Sequence, residues 1–120
     1  MLVEVVDNYE TLSDRAAEVV IQQIREKPDS TLGFATGGTP KGLYSRLIEA
    51  HKESGLDFSK LTTFNLDEYV GLPPEHEQSY ARYMWLNLFN HVNVTESQVH
   101  IPHGMAEDVD SHCQWYERRI

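Results

Sequence analysis

The sequence predicts an α/β domain in which a mainly parallel sheet lies between helices, a three-layer αβα arrangement. Three observations predict it. Short β-branched runs alternate along the chain with stretches of helical periodicity, Gly and Pro punctuate the junctions, and no segment repeats or falls into low complexity. Strand-helix-strand order of this kind builds parallel sheets, because a parallel neighbour is reached only through a crossover, and crossovers cover both faces. The helical pattern at the end runs to Ile120 with no cap or breaker after it, so the order of elements reads as truncated in mid-fold.

Element by element, Leu2 to Val6 is a short β-branched run that reads as a strand. Asp7 and Glu10 have capping-box spacing before a helix that carries Leu12, Ala16, Val20 and Ile24 on one face, and Pro28 stops it. Thr31 to Ala35 reads as a buried strand. A Gly-rich turn follows, then a helix from about Pro40 to Ser54 with Leu43, Leu47 and His51 four residues apart and Gly55 at its end. Leu61 to Leu66 is the next strand and Gly71-Leu72-Pro73-Pro74 a loop. Ser79 caps a helix bearing Tyr80, Tyr83, Met84 and Phe89, Val99 to Ile101 is a short strand, and a last helix starts near Val109.

The composition is that of a globular domain: 40% hydrophobic and 24% charged residues in 120. No apolar run approaches the ~20 residues needed to cross a bilayer, and MLVEVVDNYE lacks the basic start and apolar stretch of a secretion signal. The lone Cys113 cannot form an internal disulfide, so a cytoplasmic protein is expected. The net charge of -9 repels phosphate backbones and anionic membranes, which argues against nucleic-acid and membrane partners. An anionic small molecule must then be captured by local donors against the global field.

Phe34-Ala35-Thr36-Gly37-Gly38-Thr39-Pro40-Lys41-Gly42 supplies such donors where a strand meets a helix. Two glycines permit positive φ and close approach of a ligand, Thr39 suits the N-cap and Pro40 the first helical position. Free N–H groups at a helix start make an anion site, and hydroxyls of Thr36 and Thr39 add donors. The spacing is neither that of a Walker loop nor G-x-G-x-x-G, and a tight connection with a good cap is an equal reading of the residues alone. In an open parallel sheet, ligands bind beyond the carboxyl ends of strands, where this turn lies.

Thr63-Phe64-Asn65-Leu66-Asp67-Glu68-Tyr69-Val70-Gly71-Leu72 puts two carboxylates at the end of another strand. A carboxylate beside a phosphate cradle suits proton abstraction next to a carbonyl. Solvated loop acids are the plainer alternative. A metal site using Asp67, Glu68 and His76 is a third, although their spacing matches no ligand template. Elsewhere, His51 is a packed or surface residue, and Cys113 beside Trp115 and Tyr116 is a packed one. The aromatic helix around Tyr80, Tyr83, Met84, Trp85 and Phe89 is core or an oligomer interface, since only Arg82 interleaves it for nucleotide stacking.

The two segments together are more specific than either alone. Phe34 to Pro40 followed by Gly42-Leu43-Tyr44 resembles the phosphate loop of the glucosamine-6-phosphate deaminases. Thr63 to Leu72, then Gln78-Ser79-Tyr80 and Asn87-Leu88-Phe89, resembles that family's second signature at the expected separation. The related 6-phosphogluconolactonases share a Gly-Gly-Ser/Thr turn but have an Asp-Glu-Arg motif in place of Asp-Glu-Tyr-Val-Gly-Leu. The resemblance implies a Rossmann-like fold and conversion of glucosamine 6-phosphate to fructose 6-phosphate and ammonia, a deaminase of hydrolase/isomerase type in amino-sugar catabolism.

By that resemblance, Asp67 is the base that removes the C2 proton of the ring-opened sugar, giving an enolamine that is protonated at C1 and loses its amine hydrolytically. Thr36, Gly37, Gly38 and Thr39 hold the substrate phosphate or nearby hydroxyls, while Glu68 and Tyr69 support the site wall. No metal or organic cofactor is implied. The partner is a small sugar phosphate, with homo-oligomerisation open. Family members are about twice this length, and the later half carries a ring-opening His with acidic partners and a Lys and an Arg that grip the phosphate. His100 and His103 lack that motif's neighbours. Residues 1–120 are thus expected to be the N-terminal part of a single domain, inactive alone and prone to self-association through uncovered sheet edges. A sugar-phosphate sensor, a lactonase and a purely structural fragment are the rival readings.

Overall fold

A computed structural model describes residues 1–120. Helix α1 (Tyr9–Glu26) precedes β1 (Thr31–Phe34), α2 (Lys41–Ser54), β2 (Thr62–Asn65), α3 (Tyr80–Asn87), β3 (Val99–His100) and α4 (Val109–Arg119), with single 3-10 turns at Phe89–His91 and Glu96–Gln98. The three strands pair in the order β1-β2-β3, all parallel. Gly33 faces Phe64, Phe34 faces Asn65, and Phe64 faces His100 across the ladders.

Paired residues in a sheet share a face, and successive ones alternate. Phe34 therefore points to one side, where its ring meets Tyr44 of α2 edge-on at 5.7 Å and Phe89 at 6.1 Å. Phe64 points to the other, stacking on His100 at 4.6 Å and meeting Tyr116 of α4 at 5.9 Å. Helices thus cover both faces, and the arrangement is the expected αβα one. The main core lies on the Phe34 side, where Leu47, Met84 and Leu88 have no exposed surface. Each such side chain contributes roughly 1.5–3 kcal/mol by leaving water. No helix is long and apolar enough to cross a membrane.

Several local expectations shift. Residues 2–6 join no ladder: Leu2 and Val5 are almost fully exposed, and Glu4 instead pairs with Arg15 of α1 at 2.7 Å. Strand propensity is realised only beside a partner strand, and none is adjacent here. Helix α1 is capped by Asn8, whose side chain accepts the Thr11 N–H at 2.8 Å, so the cap sits one residue after Asp7. Asn competes equally with Asp for that position. The buried face of α1 runs through Ser13, Ala17 and Ile24, leaving Leu12 half out. Strands β1 and β2 each end one residue early, with Leu66 exposed. Cys113 is exposed rather than packed, since α4 presents Tyr116 to the sheet.

Helices α1 and α2 touch at Gly42, where an added Cβ would lie 2.0 Å from the Ser13 Oγ and 2.8 Å from its Cβ. Both neighbouring atoms sit close to the α1 backbone, so a methyl group can be accommodated only by separating the helices. Gly42→Ala is therefore expected to destabilise the fold by about 1–3 kcal/mol. A denaturant melt checks this, and pairing the change with Ser13→Gly should return part of the loss.

Candidate active site

The register of β1 on β2 brings the two predicted segments to one edge of the sheet. With Phe34 opposite Asn65, the turn from Ala35 and the loop from Leu66 leave the sheet side by side at its carboxyl end. The Asn65 side-chain Nδ2 donates to the Phe34 carbonyl at 2.9 Å, which fastens one strand end to the other. The Tyr116 hydroxyl lies 2.6 Å from the Asn65 carbonyl and 2.8 Å from that of His100, joining the ends of β2 and β3. Burial pushes that phenol up to about 12, so it remains a donor at neutral pH.

In the turn, Gly37 has φ +98, a conformation that favours glycine. The N–H groups of Thr36, Gly37, Gly38 and Thr39 make no hydrogen bond within the chain. Such a run of unpartnered donors at a strand-helix junction has the chemistry to accept an anion. Thr39 does not cap α2 as expected. The residue before the helix is Pro40, in αR geometry with no side-chain cap. The Gly42 N–H is met instead by the hydroxyl of Tyr9, at 2.8 Å. A donor of the helix start is thus satisfied from α1, and the Thr39 hydroxyl is left free for other partners. Lys41 places its ammonium 5.9 Å from the Tyr83 ring centroid, beside the turn.

The adjacent acids Asp67 and Glu68 have opposite surroundings. Glu68 turns inward and accepts the N–H groups of Tyr80 and Ala81 at 2.9 and 3.0 Å, that of Tyr69 at 2.8 Å, and the Ser79 hydroxyl at 2.9 Å. It is an anionic cap on α3, where the helix dipole favours negative charge. Partial burial pushes its carboxyl up, but the N–H groups of Tyr80, Ala81 and Tyr69 and the Ser79 hydroxyl outweigh that, and the net position is below the ordinary 4.5. Asp67 is exposed and accepts no hydrogen bond within the chain. It lines a cleft of about 270 Å³ together with Val70, His103, His112 and Tyr116. The floor of this cleft is closed where Gly71 N–H donates to the Gly104 carbonyl at 2.8 Å. A Cβ on Gly104 would lie 2.3 Å from the Tyr69 carbonyl oxygen, so only glycine permits this contact.

Tyr69 stands half exposed with its ring 4.7 Å from that of Tyr80, and the two hydroxyls are 3.2 Å apart. The Tyr80 hydroxyl is raised first by its bond to Tyr69, then by desolvation and the negative charges of Tyr69 and Asp67, while Thr36 draws it down. The sequence places Tyr80, Tyr83, Met84, Trp85 and Phe89 in a core or interface helix; Met84 and Phe89 are core, Tyr83 and Trp85 pack against it, and Tyr80 stands apart. His76 Nδ1 accepts the Gln78 N–H at 3.0 Å, and Asp67, Glu68 and His76 do not converge into a metal-ligating group.

The Glu68 cap gives a pH signature. Its folded-state pKa is depressed, so its contribution is complete above the unfolded value near 4.5 and is lost as pH falls through the folded one. Glu68→Gln should cost about 1 kcal/mol at pH 7, a modest figure because the carboxylate is only partly screened from water. In melts at stepped pH, the gap between the variant and the unmodified chain should close on acidification below 4.5.

Comparison with known proteins agrees with this geometry. The family model described as glucosamine-6-phosphate isomerases/6-phosphogluconolactonase matches residues 6–120. A glucosamine-6-phosphate deaminase of Thermoanaerobacter sp. (strain X514) is 52% identical over all of this chain, which spans 47% of that relative. A solved monomeric glucosamine-6-phosphate deaminase superposes with a TM-score of 0.96 at 44% identity, covering 99% of this chain and 49% of its own. A 6-phosphogluconolactonase from Thermotoga maritima superposes at 0.66 with 19% identity, over 95% of this chain and 50% of its own, and shares the fold alone. The chain spans about half the length of the relatives it matches. On the strength of the family match over residues 6–120, the chain belongs to the glucosamine-6-phosphate isomerase/6-phosphogluconolactonase family.

Proposed function

We propose that residues 1–120 are the N-terminal part of a single sugar-phosphate deaminase/isomerase domain, whose reaction converts D-glucosamine 6-phosphate to D-fructose 6-phosphate and ammonia. The observation that carries this reading is the juxtaposition of an unpartnered N–H nest at Thr36–Thr39 with an unengaged, exposed carboxylate on Asp67. The nest suits a phosphate ester, and the carboxylate suits a carbon acid some bonds away in the same molecule.

In this proposal Thr36, Gly37, Gly38 and Thr39 bind the phosphate and Asp67 takes the C2 proton of the open-chain amino sugar. The electron pair left at C2 forms the C1–C2 double bond of an enolamine as the C1 carbonyl oxygen becomes a hydroxyl. Protonation at C1 then gives an iminium at C2, and water releases ammonia to leave the ketone. Glu68 acts on structure rather than on substrate: by capping α3 it fixes Asp67, its neighbour in the chain, and Tyr80 together. Tyr69 forms part of the site wall. Ring opening and a cationic grip on the phosphate are assigned to the length of the relatives that this chain does not span, so the 120 residues alone are expected to be inactive. The deaminase reading is favoured over the lactonase one by 52% against 19% identity.

The test is ammonia release from glucosamine 6-phosphate by the complete reading frame that encodes these residues. Asp67→Asn should lower turnover by about 10²–10⁴-fold, the usual contribution of a positioned base, with little change in substrate affinity. Turnover that survives the change removes Asp67 from the role of base. Phosphosugar binding without turnover in the unmodified protein would instead make it a sensor.

A further inference from the structure

Three tyrosines from three helices hold the Ala35–Gly42 turn by its carbonyls. Tyr44 of α2, fully buried, donates to the Ala35 carbonyl and accepts the Ala35 N–H. Tyr83 of α3 donates to the Gly37 carbonyl. Tyr9 of α1 reaches the Gly38 and Thr39 carbonyls at 3.1 and 2.9 Å, sharing its one proton between them, while its lone pair takes the Gly42 N–H.

The consequence follows from peptide geometry. Each peptide unit is a rigid trans plane in which the C=O of one residue and the N–H of the next point in opposite directions. No cis bond occurs in the chain. Anchoring the Ala35 carbonyl therefore aims the Thr36 N–H, anchoring Gly37 aims Gly38, and anchoring Gly38 aims Thr39. In every case the donor faces away from its tyrosine. Side-chain packing does not do this work at the glycines, since a Cβ built on Gly37 or Gly38 would meet no atom within 4 Å; the other hold on these carbonyls is the long Lys41 N–H bond to Gly38 at 3.4 Å. A Gly-Gly backbone without packed neighbours samples many orientations, and each must be given up when a ligand binds.

We propose that Tyr83 and Tyr9 are positioning residues that aim the Gly38 and Thr39 N–H groups at a bound phosphate, setting the affinity of the nest without touching the ligand. This rests on the reading of Thr36–Thr39 as a phosphate site. Both hydroxyls hold the same turn, Tyr83 at Gly37 and Tyr9 at Gly38 and Thr39. Burial and then the nearby Tyr9 raise the Tyr83 phenol, so it stays protonated at neutral pH and serves as a donor.

The experiment is a titration with inorganic phosphate of the ¹⁵N-labelled product of the complete reading frame that encodes these residues, following the amide resonances of residues 36–39, for the unmodified chain, Tyr83→Phe and Tyr9→Phe. Each variant removes one hydroxyl and keeps the ring. The expected result is saturable shifts in the unmodified chain and about 5-fold weaker phosphate binding in each variant, the equivalent of one net hydrogen bond. The Gly38 amide should lose most of its phosphate-induced shift in Tyr83→Phe, and the Thr39 amide in Tyr9→Phe. A merely structural role would lower the melting temperature while leaving affinity and this residue-by-residue selectivity unchanged, and that result overturns the proposal. Tyr9→Phe also removes the Gly42 acceptor; if it does not fold, Tyr83→Phe decides alone. If the unmodified chain shows no shift at residues 36–39, the phosphate reading of the turn fails first and the proposal with it.

Discussion

The structure depends on satisfying backbone polar groups where its strands stop. Strands of four, four and two residues make a sheet so short that much of its hydrogen-bonding capacity lies at its ends. An orphaned main-chain group away from water costs about as much as a lost hydrogen bond, so the carboxyl edge must be completed by side chains. Tyr44 completes β1, Asn65 ties β1 to β2, and Tyr116 spans the ends of β2 and β3. Both tyrosines also pack against apolar rings, so the same residues that close the core fix the rim on which the site is built. Tyr44 meets Phe34, and Tyr116 meets Phe64.

Electrostatics then divides labour within the rim. A chain of net charge -9 offers no long-range attraction to an anion, and affinity for one has to come from donors at contact distance. The unpartnered main-chain N–H groups of residues 36–39, with the Lys41 ammonium near them, are donors of the kind the proposed phosphate site requires. Of the two adjacent acids, Glu68 is occupied by the start of α3 and Asp67 is not. One carboxylate is held as structure so that its neighbour is left available. Had both been solvated, the loop between Leu66 and Leu72 would be left with the Gly71–Gly104 bond and the Tyr69–Tyr80 contact to fix it.

Much of this was legible in the residues. The αβα order, the strand-helix junction at Gly37-Gly38 and the Ser79 cap all depend on local chemistry: which residues permit positive φ, which cap, and which recur at helical spacing. Errors occurred where two local signals compete or a partner is needed. Asp7 and Asn8 are equally good caps, and only the path of the chain selects Asn8. Leu2 to Val6 has strand composition but no neighbour to pair with. Cys113 lies on the face of α4 that the sheet does not use.

What the sequence determined by itself was therefore the inventory: an α/β domain, two segments with ligand chemistry, and Asp67 as the carboxylate at a strand end. What only the tertiary structure decided was who holds whom. Tyr9, Tyr83 and Glu68 lie 29, 46 and 12 residues from the groups they fix at Gly38, Gly37 and Tyr80. No periodicity encodes such a contact. A tyrosine at helical spacing looks the same whether its ring fills a core or its hydroxyl holds a turn, because the distinction lies in the hydrogen-bond partner, and the partner is set by the packing of one helix against another.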